Sequence, residues 1–197
     1  SKYTHTEDQE KRDKHIEKIK SSVKNLNEIL EDFLSLGKLD EGKVQSLRSE
    51  FDLQDCISDT VDEMKAFLKK GQKIELHFEG SPIIFSDRKL LRNIVINLSS
   101  NAIKFSGENS CVNIEAINAN GTVKIAVKDQ GIGIAEEDQQ HLFSSFFRGA
   151  NVTNIQGTGL GLHIVQRYTG LLGGTVQLNS KLNEGTTVTI IIPSNQS

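Results

Sequence analysis

Proline, cysteine, long apolar runs and charge of one sign are all scarce in this chain, and each shortage excludes something. The two cysteines among 197 residues, Cys56 and Cys111, have no CxxC spacing. Free thiols in a reducing compartment therefore fit better than a disulfide frame or a zinc site. No run of about 18 apolar residues occurs, so no segment reads as a membrane span. The opening "SKYTH" reads neither as an initiator nor as a signal peptide, and the chain is expected to be a piece of a longer protein. Lysine and arginine number 23 against 26 acidic residues, for a net charge of −3, with the basic side chains scattered. That argues against a nucleic-acid surface. The densest basic spot after the first helix, Lys69-Lys70, reads as a solvated helix end. Two common nucleotide motifs are also missing. There is no G-x-x-x-x-G-K-[ST] loop, and no G-x-G-x-x-G follows a strand.

What is present divides the chain in two. Up to Gly37 it is strongly charged and lacks both glycine and proline. Ile16, Ile19, Val23, Leu26, Leu30 and Phe33 step by three and four along it, an apolar seam of coiled-coil type. So narrow a stripe on so polar a helix calls for a second copy or a missing neighbouring helix rather than for its own domain. Gly37 and "LDEGK" are expected to end that helix. "DLQDCISDTVDEMKAFLKKG" follows as an amphipathic helix with Gly71 as its cap. Ile74, Leu76 and Phe78 alternate as a strand, and "SPIIFSD" reads as a short second one. Asp87 can cap the helix "RKLLRNIVINLSSNAIKFS". "CVNIEAI" and "TVKIAVKD" form a hairpin across Asn120-Gly121. "AEEDQQHLFSSF" reads as a short helix, "LGLHIVQRYTGLL" as a longer one, and "GTVQLNS" with "GTTVTIIIP" as a last hairpin. The expectation is an α+β fold: a two-layer sandwich whose mixed, mainly antiparallel sheet is covered on one face by three helices, preceded by a long N-terminal helix.

Three groups of residues could carry chemistry. Asn97, Asn101 and Lys104 share one face of their helix. An amide oxygen suits Mg²⁺ and a lysine beside it can neutralise phosphate, although from these residues alone a pair of hydrogen-bonded core or surface amides is the better reading. Asp129 ends an apolar strand, with Gly131 and Gly133 behind it in "DQGIGI". A carboxylate followed by bare backbone can accept from an exocyclic amine, or simply cap a glycine turn. Gly157, Gly159 and Gly161 lead into a helix, where main-chain N–H groups and the helix dipole favour a polyphosphate. A plain hinge is the alternative.

In this order the groups resemble the ATP-binding domain of sensor histidine kinases, the Bergerat-type fold shared with gyrase and MutL ATPases. "NLSSNAIKFS" resembles the N box of that family and "DQGIGI" its first glycine box. "LFSSFFRG" resembles the F box, "GTGLGLHIV" the second glycine box and "EGTTVTIIIP" the final strand. The likeness runs from about residue 15 to Pro193. It implies Mg²⁺ on Asn101, with Asn97 supporting the site near the phosphates, and ATP phosphate against Lys104. Phe105 would pack beside the nucleotide, and Asp129 would take the adenine amine. Gly131 and Gly133 would admit base and sugar, and Thr187 would lie near the adenine. Residues 148–160 would form a mobile lid whose phosphate end holds Gly157, Gly159 and Gly161, with Phe146 and Phe147 anchoring its start, although plain core packing explains two phenylalanines equally well.

The resemblance also separates kinase from ATPase. Related ATPases carry a glutamate where this chain has Asn97, and an amide cannot take a proton from water. Transfer of the ATP γ-phosphate to a histidine is therefore expected. A weak ATPase and a non-catalytic nucleotide-binding or dimerisation module are the alternatives. No acceptor box like H-E-[LF]-R-T-P occurs. His5 and His15 lack the following basic residue and proline, while His77, His141 and His163 read as structural or exposed. The acceptor is expected upstream of Ser1. Residues 1–44 would be the second helix of a dimerisation and phosphotransfer hairpin, and 45–197 the catalytic domain. The implied partners are a second copy through the N-terminal helix and a response-regulator receiver domain, with no nucleic acid and no membrane contact by this segment. The implied location is the cytoplasm, with a parent protein that could be anchored in the inner membrane.

Overall fold

The computed structural model describes residues 9–42, 44–147, 149 and 157–194. A 32-residue helix, α1 (Gln9–Asp40), leads into the rest. It runs through Gly37 and ends at Asp40, inside the expected "LDEGK" stretch. Gly42, at φ +64°, is the glycine that takes the left-handed position, its N–H donating to Leu39 O at 3.1 Å. The seam from Ile16 to Phe33 stays open to solvent along its whole length, with exposures between 48% and 64%. Among the described side chains of α1, Leu36 and Leu39 in its last turns are buried, and Arg167 donates to Leu39 O at 3.2 Å.

Strand β1 (Ser49–Asp52) pairs antiparallel with β3 (Ile83–Ser86) in a small separate sheet. Asp52 then caps α2 (Leu53–Met64) by accepting from Asp55 N at 2.9 Å. A 3-10 turn, Lys65–Phe67, extends this helix, and Gly71 lies in the turn beyond it rather than at its cap. After β2 (Lys73–Gly80) and β3 come α3 (Arg88–Phe105), β4 (Cys111–Ala119) and β5 (Thr122–Lys128). The expected helix after Ile134 shrinks to α4 (Glu136–Gln139) followed by turns. Helix α5 (Gly161–Leu171) and the hairpin β6 (Thr175–Lys181), β7 (Gly185–Pro193) complete the chain.

The main sheet has the order β2-β4-β5-β7-β6. Within it β2 and β4 are the parallel pair, because the connection between them is long enough to carry α3 across the face. Alternation puts Val112, Ile114, Val123, Ile125, Val127, Val188 and Ile190 on the covered face, where α2, α3 and α5 close the core. The open face carries a polar row in register: Glu75, Asn113, Lys128, Thr187 and Asn179. The architecture is thus the expected two-layer sandwich. Among the described residues no helix is long and apolar enough to cross a membrane.

Candidate functional site

Helix α3 starts where Asp87 accepts from Leu90 N at 3.0 Å, and the same carboxylate takes Leu47 N at 2.7 Å. Its apolar residues, among them Leu91, Ile94, Val95 and Leu98, are spent on the core. The face left over carries Asn97, Asn101 and Lys104, and it looks onto the start of α5. Asn97 Nδ2 donates to Asn93 O at 2.9 Å, which turns its Oδ1 toward α5. A Cβ built on Gly161 would lie 3.1 Å from Asn97 Oδ1 and 3.5 Å from Asn101 Nδ2. A Cβ on Gly157 would run into Lys104 Nζ. The two asparagines, the lysine and two glycines of the ladder therefore converge. Gly159, between them, has φ +73°, the left-handed turn that brings the chain into the helix. Leu160 caps α5 without any side-chain hydrogen bond, so the first-turn N–H groups face this cleft uncapped by a side chain. Lys104 Nζ also sits 5.2 Å above the Phe105 ring.

The second half of the site is built by the loop after β5. Asp129 is 8% exposed, and its Oδ1 accepts from Gly131 N at 2.7 Å and from Thr186 N at 3.3 Å. Burial pushes its pKa up, against the opposing pull of those two N–H groups. Gly131 must lack a side chain: its Cβ would stand 2.6 Å from Phe105 O and 2.7 Å from Asp129 Oδ1. Gly133, at φ +62°, keeps the loop against Lys181. A bridge between Ser106 and Gly131, and a bond from Ile132 N to Phe105 O at 3.3 Å, tie this loop to the end of α3. Amide oxygens and a lysine at one end suit a hard cation and phosphate. A buried acceptor beside bare backbone at the other suits a flat ring bearing an amine.

Thr187 lies one position along the strand from the residue that bonds Asp129. It pairs with Lys128 and Asn179 on the open face of the sheet, and the residue beside Asp129 is Thr186, whose hydroxyl also bonds Ser180 Oγ at 2.8 Å. Parity explains the shift: counting back from Ile192, Ile190 and Val188 lands the covered face on Thr186. Of the phenylalanine pair, Phe147 is half-buried and tilts against His141, with ring centroids 5.5 Å apart. Phe146 is 61% exposed at φ +64°, so it is not a core residue. Position 148 and positions 150–156 of the expected lid lie outside the described residues. His163, read as structural or exposed, is structural: its Nδ1 bonds Phe143 O at 2.7 Å and ties the F-box turn to the first turn of α5. A cavity of about 180 Å³ opens at the Asp129 end of the sheet, lined by Lys128, Asp129, Asn179, Thr186 and Thr187 among others. A larger hollow of about 410 Å³ between α2 and α3 contains none of the site residues and is bridged by the pairs Arg88–Asp59 and Arg92–Glu63.

Residues 86–196 match the profile of the family described as histidine kinase-, DNA gyrase B-, and HSP90-like ATPase. The chain is 31% identical over 191 residues to the histidine protein kinase DivJ of Caulobacter vibrioides, covering 91% of this chain and 30% of that protein. Among solved structures it resembles full-length ShkA in complex with AMPPNP (TM-score 0.79, 25% identity, 95% of this chain and 40% of that one). It also resembles the nucleotide-free catalytic domain of the histidine kinase ThkA (TM-score 0.66, 27% identity, 76% of this chain and 97% of that one). The chain spans less than half the length of the curated relatives it matches. It belongs to the histidine kinase-, gyrase- and HSP90-like ATPase family, as a catalytic ATP-binding domain of the sensor histidine kinase kind.

Proposed function

We propose that this chain binds Mg-ATP and hands its γ-phosphoryl group to a histidine carried by a segment outside it. The observation that carries the reading is the state of Asp129. Its Oδ1 is committed to two backbone N–H groups, and an ionised carboxylate is acceptor-only, so Oδ2 asks for a donor. The exocyclic amine of adenine supplies one, whereas guanine offers a carbonyl there. Gly131 and Gly133 let the loop pack against Phe105 O and Lys181 O, which sets the wall along which base and sugar would lie, with Phe105 flanking them. Asn101, supported by Asn97, offers amide oxygen to Mg²⁺, which when bound neutralises charge on the phosphoryl group in transfer. Lys104 holds phosphate, while Gly157, Gly159 and Gly161 let the N–H groups of α5 approach it. Thr187 lines the cavity on the adenine side, joined there by Thr186, whose N–H holds Asp129.

Asn97 argues against the ATPase alternative, since an amide cannot activate water. Residues 1–44 act as a dimerisation helix through the open seam, and 45–197 as the catalytic part. A response-regulator receiver domain is the downstream partner. Calorimetry tests the binding half. Asp129→Ala should lower ATP affinity by about 10- to 100-fold, the worth of a hydrogen bond to a charged group, and GTP should bind far more weakly than ATP. Unchanged ATP affinity refutes it. For transfer, the chain alone with labelled Mg-ATP should yield no phosphohistidine, and addition of the histidine-bearing hairpin should yield it. Steady phosphate release without that hairpin would favour the ATPase.

A further inference from the structure

Every helix leaves its last four carbonyls without a partner in the helix, and at the end of α3 each of the four is answered from a definite source. Ala102 O takes Ser106 N at 3.2 Å, the helix's own cap. Phe105 O takes Ile132 N at 3.3 Å, from the loop that follows Asp129. The two between them are answered by side chains of the turn after α2. Gln72 Nε2 donates to Ile103 O at 3.2 Å, and Lys69 Nζ to Lys104 O at 2.7 Å and to Ser106 O at 2.5 Å. Lys69 is exposed, as its sequence neighbourhood suggests, but its ammonium is engaged by two carbonyls of the α3 end.

The turn holding these two side chains is itself fixed. Gln72, only 6% exposed, accepts from Lys69 N at 3.0 Å and donates to Ser110 Oγ at 3.1 Å. Asn109 N bonds Lys70 O at 3.0 Å, and Lys73 N bonds Ser110 O at 2.9 Å, so the turns on either side of the helix end are interlocked. A positive side chain at the negative end of α3 also has the favourable sign for the helix dipole.

We infer that Lys69 and Gln72 are positioning residues for the nucleotide site. They clamp the end of α3 from one side while the Asp129–Gly133 loop holds it from the other. This rests on the ATP reading above. The residues in the grip are those that matter there: Lys104, whose side chain faces Gly157, and Phe105, whose carbonyl fixes Gly131 and Ile132. Neither Lys69 nor Gln72 touches the cleft; each acts on it through backbone carbonyls.

Lys69→Met keeps the stem and removes the donor, and Lys69→Arg restores one. Calorimetry with Mg-ATP should show Lys69→Met weakened by about 3- to 10-fold and Lys69→Arg within about twofold of wild type. Because Lys69 is largely exposed, melting of both variants should stay near that of wild type. Amide resonances of Gly131 and Ile132 should shift in Lys69→Met and return in Lys69→Arg, which loss of a mere surface charge would not produce. Gln72→Leu should add to the loss where it folds. Lys69→Met binding as wild type, or Lys69→Arg as weak as Lys69→Met, overturns the inference. If wild type itself fails to bind Mg-ATP, the ATP reading falls, and unmoved Gly131 and Ile132 resonances in Lys69→Met then overturn the clamp as well.

Discussion

Helices α1 and α3 carry the same kind of pattern, apolar residues every three or four positions on an otherwise polar rod, yet they meet opposite fates. In α3 the stripe is gone from solvent: Leu91, Ile94 and Leu98 are exposed by 2% or less. In α1 the stripe from Ile16 to Phe33 is about half exposed or more. The sheet makes the difference. It offers α3 an apolar face to spend its stripe on, and once that is spent the polar face is held at a fixed height above α5. That is how two asparagines, poor helix formers, come to point at one glycine. Among its described side chains, α1 finds such a face at Leu36 and Leu39, and the stripe from Ile16 to Phe33 is left for another chain or segment.

The contrast breaks most visibly in the stability of alanine variants. Leu91→Ala should cost about 2 to 5 kcal/mol, the usual cost of a large-to-small change in a packed core. Leu26→Ala should stay within about 0.5 kcal/mol in dilute solution, as for other surface changes. Urea unfolding at low protein concentration measures both. At high concentration the order should reverse for assembly: Leu26→Ala should weaken any self-association seen by light scattering, and Leu91→Ala should affect it only through unfolding. Equal costs in the two helices would mean that α1 is buried in solution by something within its own chain.

A smaller effect separates the two faces of α3. Asn101→Ala should leave stability within about 1 kcal/mol, because its side chain is on the cleft side of the helix. Mg-ATP affinity should fall about tenfold, equivalent to about 1.4 kcal/mol, and should respond less to the Mg²⁺ concentration than in wild type. If stability falls and affinity does not, Asn101 belongs with the structural amides rather than with the site.

Much of this was legible beforehand because it is local or periodic. The spacing of Asn97, Asn101 and Lys104, the strand-end Asp129 and the glycine ladder each follow from a few consecutive residues. What escaped depends on parity or on distant contact. Thr186 and Thr187 are chemically identical, and only the strand's alternation decides which one faces Asp129. Strand β1 hides in the charged stretch "SEFD", since a two-stranded pair against β3 needs little apolar surface. Lys69 meets the end of α3 35 residues later in the chain, and no spacing rule relates a turn lysine to a far helix carbonyl. For His163, read as structural or exposed, the partner Phe143 O is likewise a distant contact that spacing does not give.

The smallest test concerns charge rather than apolar surface. Charges on α1 are solvated: Lys20 and Glu17 pair with side chains 68% and 72% exposed, and Glu17→Gln should leave thermal unfolding unmoved. Asp129 differs because burial raises its folded pKa above that of an ordinary aspartate, only partly offset by the N–H groups of Gly131 and Thr186. The folded state then holds its proton more tightly than the unfolded state. Its contribution to stability is complete below the unfolded pKa and is lost as pH rises through the folded one. Asp129→Asn keeps an oxygen for Gly131 and Thr186 and removes the buried charge. Free of nucleotide, it should therefore melt slightly above wild type at neutral pH, with the gap closing as pH falls into the carboxylate range. In the same variant the introduced amide would present N–H groups to the adenine amine, so ATP affinity should be lost while stability is gained. A variant that melts lower at neutral pH would show that the Asp129 charge is compensated in the free protein, and that the carboxylate is there for the fold before it is there for the base.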